Sequence, residues 1–223
     1  MVHFTRMASG TASTTDLAAS EVDALCTVAR WCAARGWVPA TSGNFSVRPF
    51  AAEPGRILIT ASGLDKGSLA PCDLLEVDRD GQMVAGTGKP SAETGLHAVI
   101  YRSRPEAHAI LHVHSTWNTL LSGMFADAGE VEIEGYELLK GLSGVNTHEH
   151  RERIPIIENT QDYDELCIEL TAALRKFPAA HGVLLSRHGL YTWGQSVAEA
   201  RRHLEALEFL FEVEGRQLLG GRE

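Results

Sequence analysis

A single α/β domain, layered αβα around a central and largely antiparallel sheet, is the fold class this chain predicts. Three observations carry that expectation. Segments with apolar residues at helical spacing are interspersed with short strand-like runs, without the regular alternation of βαβ units. Leu74-Leu75-Glu76-Val77-Asp78 and Gln82-Met83-Val84 flank Asp80-Gly81, the pattern of an antiparallel hairpin with its turn glycine. No repeat, linker or charge block divides the 223 residues, a length that suits one domain with a sizeable core.

Residues 1–15 are rich in Ser, Thr, Ala and Gly and lack the apolar stretch of a secretory signal, so they read as a flexible arm before a domain at 16–223. A helix is expected from Asp16 to Arg35, where Val22, Leu25, Ala29 and Cys32 recur at helical spacing and Gly36 stands at the C-cap. Asn44 to Arg48 and Arg56 to Thr60 read as strands, followed by the hairpin. A helix from Ser91 to Arg104 is bounded by Pro90 and Pro105. The apolar run Ala109 to Val113 reads as a buried strand, and Thr116 to Met124 as a helix. Residues 133–139 fit either a helix or a strand. Pro155 within Ile154-Pro155-Ile156-Ile157 suggests an edge strand or a strand start. Asp162 to Arg175 is helical, Gly182 to Ser186 a buried strand, and Ser196-Val197-Ala198-Glu199 a capping box opening a helix to about Leu219.

Composition narrows the function. Hydrophobic residues make up 44% and charged residues 22%, ordinary for a soluble globular chain. No run approaches the roughly 18 apolar residues of a membrane helix. A net charge of −9 without a basic stripe argues against nucleic acid as a partner. Cys26, Cys32, Cys72 and Cys167 form no CxxC or zinc-ribbon spacing and read as plain thiols of a reducing compartment, hence a cytoplasmic protein.

Chemistry concentrates in a few places. His112 and His114 sit two apart on the expected strand, so both side chains leave one face. A zinc enzyme needs about three protein ligands and an open position, and His188 in Arg187-His188-Gly189 is the third candidate. Core histidines that only bond their surroundings would give the same spacing. Three loops with glycine and hydroxyl groups precede the histidine strand: Thr41-Ser42-Gly43-Asn44, Thr60-Ala61-Ser62-Gly63 and Lys89-Pro90-Ser91-Ala92-Glu93. Glycine allows backbone N–H groups close to an anion, and a helix start favours phosphate; each loop could equally be a simple turn. Glu93 reads either as an acid at a positive helix end or as a carboxylate near a metal. Glu137 lies in an apolar stretch and matters only if the fold brings it to the metal.

Together the motifs Ser-Gly-Asn-Phe-Ser at 42–46, Lys-Pro-Ser-Ala-Glu at 89–93, His-Val-His-Ser at 112–115 and Arg-His-Gly-Leu at 187–190 resemble the class II aldolase family, in the same order and over most of the chain. That family includes sugar-phosphate aldolases, pentulose-phosphate epimerases, dehydratases and the adducin head. The resemblance implies one Zn2+ per subunit on His112, His114 and His188, and a phosphate held by Thr41, Gly43, Asn44, Ser62, Gly63 and Ser91. The stretches 60–67, 136–142, 158–162 and 186–194 are similar to the dehydratases of methionine salvage, which act on a ketose 1-phosphate with a methylthio tail. In that resemblance Glu137 matches the catalytic acid/base, and Glu93 matches a metal ligand or base of the aldolases. It further implies a homo-oligomer, a tetramer with sites near subunit boundaries. Aldol cleavage or 4-epimerisation of a sugar phosphate is the alternative the same metal and phosphate residues serve, and a non-catalytic scaffold the remotest one.

Overall fold

The computed structural model describes residues 14–48 and 55–221, with side chains from residue 19 onward. Within that span nine strands form one sheet and five α-helices cover it. In chain order these are α1 (Thr14–Ala34), β1 (Asn44–Val47), β2 (Ile57–Thr60), β3 (Leu74–Val77), β4 (Met83–Ala85), α2 (Thr94–Ser103), β5 (Ala109–Val113), α3 (Thr116–Met124), β6 (Glu130–Ile133), β7 (Glu152–Ile157), α4 (Tyr163–Lys176), β8 (Gly182–Leu185), β9 (Gly189–Gly194) and α5 (Val197–Gly220). The arm expected over 1–15 lies outside the described residues up to 13; Thr14 and Thr15 already belong to α1.

The strand order is β4-β3-β2-β1-β5-β9-β8-β7-β6, and every pair is antiparallel except β7 with β8. Each face of the sheet carries its own core. On one, Leu25, Ala29 and Cys32 of α1 and Leu204, Leu207 and Phe211 of α5 pack on Phe45, Leu111 and Leu190. On the other, Leu96 and Ile100 of α2 and Leu166, Leu170 and Leu174 of α4 pack on Ile59, Ile110 and Tyr191. The αβα layering expected from the sequence is therefore what forms.

Local chemistry sets the helix ends. Gly36, at φ +72°, closes α1, and the Trp37 N–H reaches back to the Cys32 carbonyl at 3.0 Å. Ser115 and Asp162 cap α3 and α4 through their side chains. At α5, Ser196 caps the Glu199 N–H as a capping box requires, but Glu199 accepts from the Gln195 N–H rather than from Ser196.

Three expectations need correction. α2 begins at Thr94, because Ser91 to Glu93 form a turn in which the Ser91 carbonyl takes the Thr94 N–H and hydroxyl. β7 is not an edge: it pairs with β6 and β8. Pro155 fits there because the parallel ladder to β8 starts only at Ile156, so its missing N–H falls where no partner is needed. Residues 189–194 form a strand, β9, that the sequence reading passed over, and it joins β5 to β8 at the centre of the sheet.

Candidate active site

Strand register assembles the site. Asn44 of β1 and Tyr191 of β9 both stand directly opposite His112 of β5. Paired residues of antiparallel strands share a face, and this row faces α2, whose N-terminal turn brings Glu93 and whose first helical turns bring His97. His114 lies one residue beyond the end of β5, and His188 sits in the β8–β9 turn beside Arg187, which adopts φ +54°.

These elements converge on one cluster. One ligand atom each from Glu93, His112, His114 and His188 lies within 4.8 Å of the others. The His112 and His114 Nε2 atoms are 2.8 Å apart, and the Glu93 carboxylate is 3.0 Å from His188 Nε2 and 3.5 Å from His112 Nε2. The far nitrogens orient two rings. His112 Nδ1 donates to the Leu190 carbonyl at 3.0 Å, and His188 Nδ1 donates to Asn159 Oδ1 at 3.2 Å. That fixes the tautomer with Nε2 as the free donor of electrons, the usual support for a metal-binding imidazole. His112 is also stacked on Tyr191, with ring centroids 3.8 Å apart.

The electrostatics favour the same use. Burial pushes the His112 pKa well below its ordinary value, and burial with the nearby His188 pushes His114 down to about 4. Both rings are neutral near pH 7, as ligands must be. Burial alone would raise the Glu93 pKa. His112, His188 and the bond from Asn44 outweigh it and hold the carboxyl below the usual carboxylate range. Three imidazoles and a carboxylate converging in this way fit a divalent metal of the zinc type.

Behind Glu93 runs a buried relay that sequence reasoning missed. Asn44 Nδ2 donates to Glu93 Oε2 at 2.6 Å, His97 Nε2 donates to Asn44 Oδ1, and His97 Nδ1 accepts from the Ser46 hydroxyl at 2.7 Å. Burial lowers the His97 pKa to about 3, so this ring stays neutral and keeps its single proton on Nε2. The Asn44 side chain is thus engaged by Glu93.

The three glycine- and hydroxyl-bearing loops meet at one cavity of about 300 Å³. Thr41, Gly43, Asn44, Ser62, Gly63 and Ser91 all line it, together with Glu93 and His114 of the cluster. Ser91 Oγ accepts from the Glu93 N–H at 3.2 Å and from Asn44 Nδ2 at 3.4 Å, leaving its own proton uncommitted. Ser42, also on this cavity, has a buried hydroxyl with no hydrogen-bond partner among the described residues, a donor the motif contained but the sequence reading did not single out. Lys66 is a further find. It is 1% exposed, and its Nζ donates to the Thr41 carbonyl at 2.9 Å and the Leu64 carbonyl at 2.8 Å, tying two of the loops together.

Glu137 stands elsewhere. It opens a short 3-10 turn at Glu137–Gly141, is 73% exposed, and pairs with Lys140 and with His148. Within one chain the fold does not bring it into the metal-type cluster.

The family model described as Class II Aldolase and Adducin N-terminal domain matches residues 23–214. The chain belongs to that family. A methylthioribulose-1-phosphate dehydratase of Methylococcus capsulatus is 51% identical over 82% of this chain and 86% of its own. One from Cronobacter sakazakii is 45% identical over 90% and 96%. Among solved structures, L-fuculose-1-phosphate aldolase from Thermus thermophilus superposes with a TM-score of 0.69 at 27% identity, covering 91% of this chain and 99% of that one. No described helix is long and apolar enough to cross a membrane.

Proposed function

We propose that this protein is a lyase that dehydrates 5-methylthioribulose 1-phosphate to 5-methylthio-2,3-dioxopentyl phosphate, the step the resemblance places in methionine salvage. The observation that carries the reading is the sharing of Glu93 and His114 between a metal-type cluster and a cavity lined by hydroxyls, amides and glycines. A sugar phosphate bound there has its anion at the loops and its reacting carbons at the cluster. The naming of the relatives at 45–51% identity selects dehydration among the family's reactions.

His112, His114 and His188 would hold one Zn2+ per subunit, with Glu93 as a further ligand. Zinc at this position supplies Lewis acidity, which favours loss of the C3 proton next to the C2 carbonyl. The chain does the rest. Thr41, Gly43, Ser62, Gly63 and Ser91 hold the C1 phosphate, with the Asn44 side chain bracing Glu93 beside it, so that remote binding fixes the reacting carbons. The C3 proton leaves to a base, the C4 hydroxyl leaves as water once protonated, and the resulting enol becomes the 2,3-diketone. Glu137 is the proposed acid/base. Because Glu137 lies outside the cluster of its own chain, this role has it reach the site of a neighbouring subunit, which rests on the tetramer the resemblance implies. A cytoplasmic location, read from the free thiols, belongs to the same proposal.

The deciding experiment incubates the zinc-loaded protein with methylthioribulose 1-phosphate and, separately, with fuculose 1-phosphate. A diketone product from the first and no aldol cleavage of the second is expected. Cleavage of fuculose 1-phosphate with no diketone would replace dehydration by aldolysis.

A further inference from the structure

A second cavity, of about 770 Å³, lies against the cluster, lined by Pro39, Thr116, Leu120, Met124, Arg187 and, again, His114. His114 is the one lining residue it shares with the phosphate-type cavity. We infer that this second cavity receives the methylthio end of the substrate and sets the preference for an uncharged thioether tail. The inference rests on the dehydratase reading above.

The geometry requires the two ends of the substrate to part at His114. A ketose 1-phosphate with its anion among residues 41–44, 62–63 and 91 has its carbonyl and C3 beside the histidines. The remaining carbons must leave on a path that the phosphate loops do not occupy, and the cavity under α3 begins at that ligand.

The chemistry of the walls fits the tail. Leu120 and Met124, four residues apart on α3, keep 36% and 49% of their surface in water and give this cavity an apolar wall that an apolar tail can cover. Among the described residues no carboxylate lines the cavity, so none of them offers recognition of a cationic group there. Two polar residues of α3 are already in use: the Thr119 hydroxyl donates to the His188 carbonyl at 3.1 Å, and Ser122 Oγ accepts from the Arg187 N–H at 3.0 Å. These bonds fasten α3 to the turn that carries His188, so the apolar wall keeps a fixed position relative to the cluster. Met124 adds a polarizable sulfur suited to packing on another thioether.

The test compares kcat/KM for methylthioribulose 1-phosphate and for ribulose 1-phosphate, which has a hydroxyl in place of the methylthio group. The enzymes are zinc-loaded wild type, Leu120→Asn, Met124→Gln and the apolar control Leu120→Met. The two polar variants should each lower the ratio of methylthio to hydroxyl substrate at least ten-fold, with the control near wild type, because an apolar pocket discriminates by roughly this factor. Met124 is half-exposed, so its variant keeps the test decisive if Leu120→Asn fails to fold. An unshifted ratio in a folded polar variant overturns the assignment; if subunit number changes at the same time, the apolar wall is a contact between copies of the chain. A wild type that dehydrates neither substrate overturns the reaction itself and this inference with it, whereas activity with an unshifted ratio overturns only the tail site.

Discussion

Replacing Glu93 by Gln separates a metal ligand from an acid/base. The carboxylate receives a 2.6 Å bond from Asn44 and lies 3.0 Å from His188 Nε2 and 3.5 Å from His112 Nε2. Glutamine preserves shape but loses the charge, and its amide must turn either its oxygen or its NH2 toward Asn44. The relay decides which. His97 holds the Asn44 oxygen, so the Asn44 NH2 keeps pointing at residue 93 and the glutamine oxygen must answer it. That leaves the glutamine NH2, which cannot ligate a metal, directed at the histidines. Loss of one charge-assisted bond costs about 1.5–3 kcal/mol, and about 1.4 kcal/mol is a factor of ten. Zinc affinity should therefore fall roughly 10- to 100-fold, the range also seen when groups supporting metal ligands are removed. Competition with a chromophoric chelator reads the dissociation constant directly. A value within about two-fold of wild type, with turnover abolished, would refute the ligand reading and make Glu93 the acid/base, as aldol chemistry would use it.

Other outcomes follow from the same geometry. Lys66→Met should raise KM for the phosphorylated substrate about ten-fold with a smaller effect on kcat, because it removes the ammonium that ties the Thr41 and Leu64 carbonyls; an unchanged KM, with unchanged thermal stabilisation by inorganic phosphate, would show that this tie does not position the phosphate loops. Ser42→Ala and Ser91→Ala should each weaken phosphate binding by about 1.5–3 kcal/mol, the worth of a hydrogen bond to a charged group, and calorimetry with the phosphorylated substrate would show otherwise if affinity held. Glu137→Gln should leave zinc content intact and cut kcat by roughly 100-fold; normal turnover would remove it from the mechanism. The metal-free protein should lose stability on acidification. The folded pKa values of His97 and His114 lie below the unfolded value near 6.5, so their contribution is present above that pH and disappears as pH falls toward about 4 for His114 and about 3 for His97. At pH 5 each accounts for about 2 kcal/mol by linkage, while His181, raised through its bonds to Glu152, and Glu208, pushed up to about 7 by burial, work in the opposite direction and offset part of it. Urea midpoints at pH 7.5 and pH 5 measure the balance, and an equal or higher midpoint at pH 5 would contradict it.

Much of this fold was legible because apolar spacing and turn residues act locally. α3 spans the predicted residues, α1, α4 and α5 end within about two residues of prediction, and the hairpin turns where Asp80-Gly81 places it. β9 was missed because Gly189 to Gly194 follows His188 directly and its short alternating run is framed by glycines, which read as turns. The metal-type histidines were legible from the i, i+2 spacing and a matching motif, and the phosphate-type loops from their glycines and hydroxyls. The relay through Asn44, His97 and Ser46 was not, because His97 is about fifty residues from its partners on β1 and only the packing of α2 on the sheet joins them. Lys66 escaped for a different reason. A lysine in a loop is ordinarily solvated, and nothing local announces that two backbone carbonyls will bury this one.

Register is also what makes the site inseparable from the fold. Asn44, His112 and Tyr191 lie in one row across β1, β5 and β9, and neighbouring rows alternate between the two cores. Because side chains alternate with a period of two, a slip of one residue in β1 would turn Asn44 and Ser46 into the α1–α5 core and expose Phe45 and Val47 to the relay. Both cores would then oppose the slip, since Phe45 and Val47 are fully buried where they stand. The apolar residues on one face thereby hold the polar ones on the other at hydrogen-bond distance from Glu93. The loops differ: their lining residues answer to glycine conformations and to Lys66 rather than to the sheet. Substitutions in the loops should consequently change which phosphate ester binds while leaving zinc in place, whereas substitutions at Phe45 or Leu111 should lose zinc and fold together.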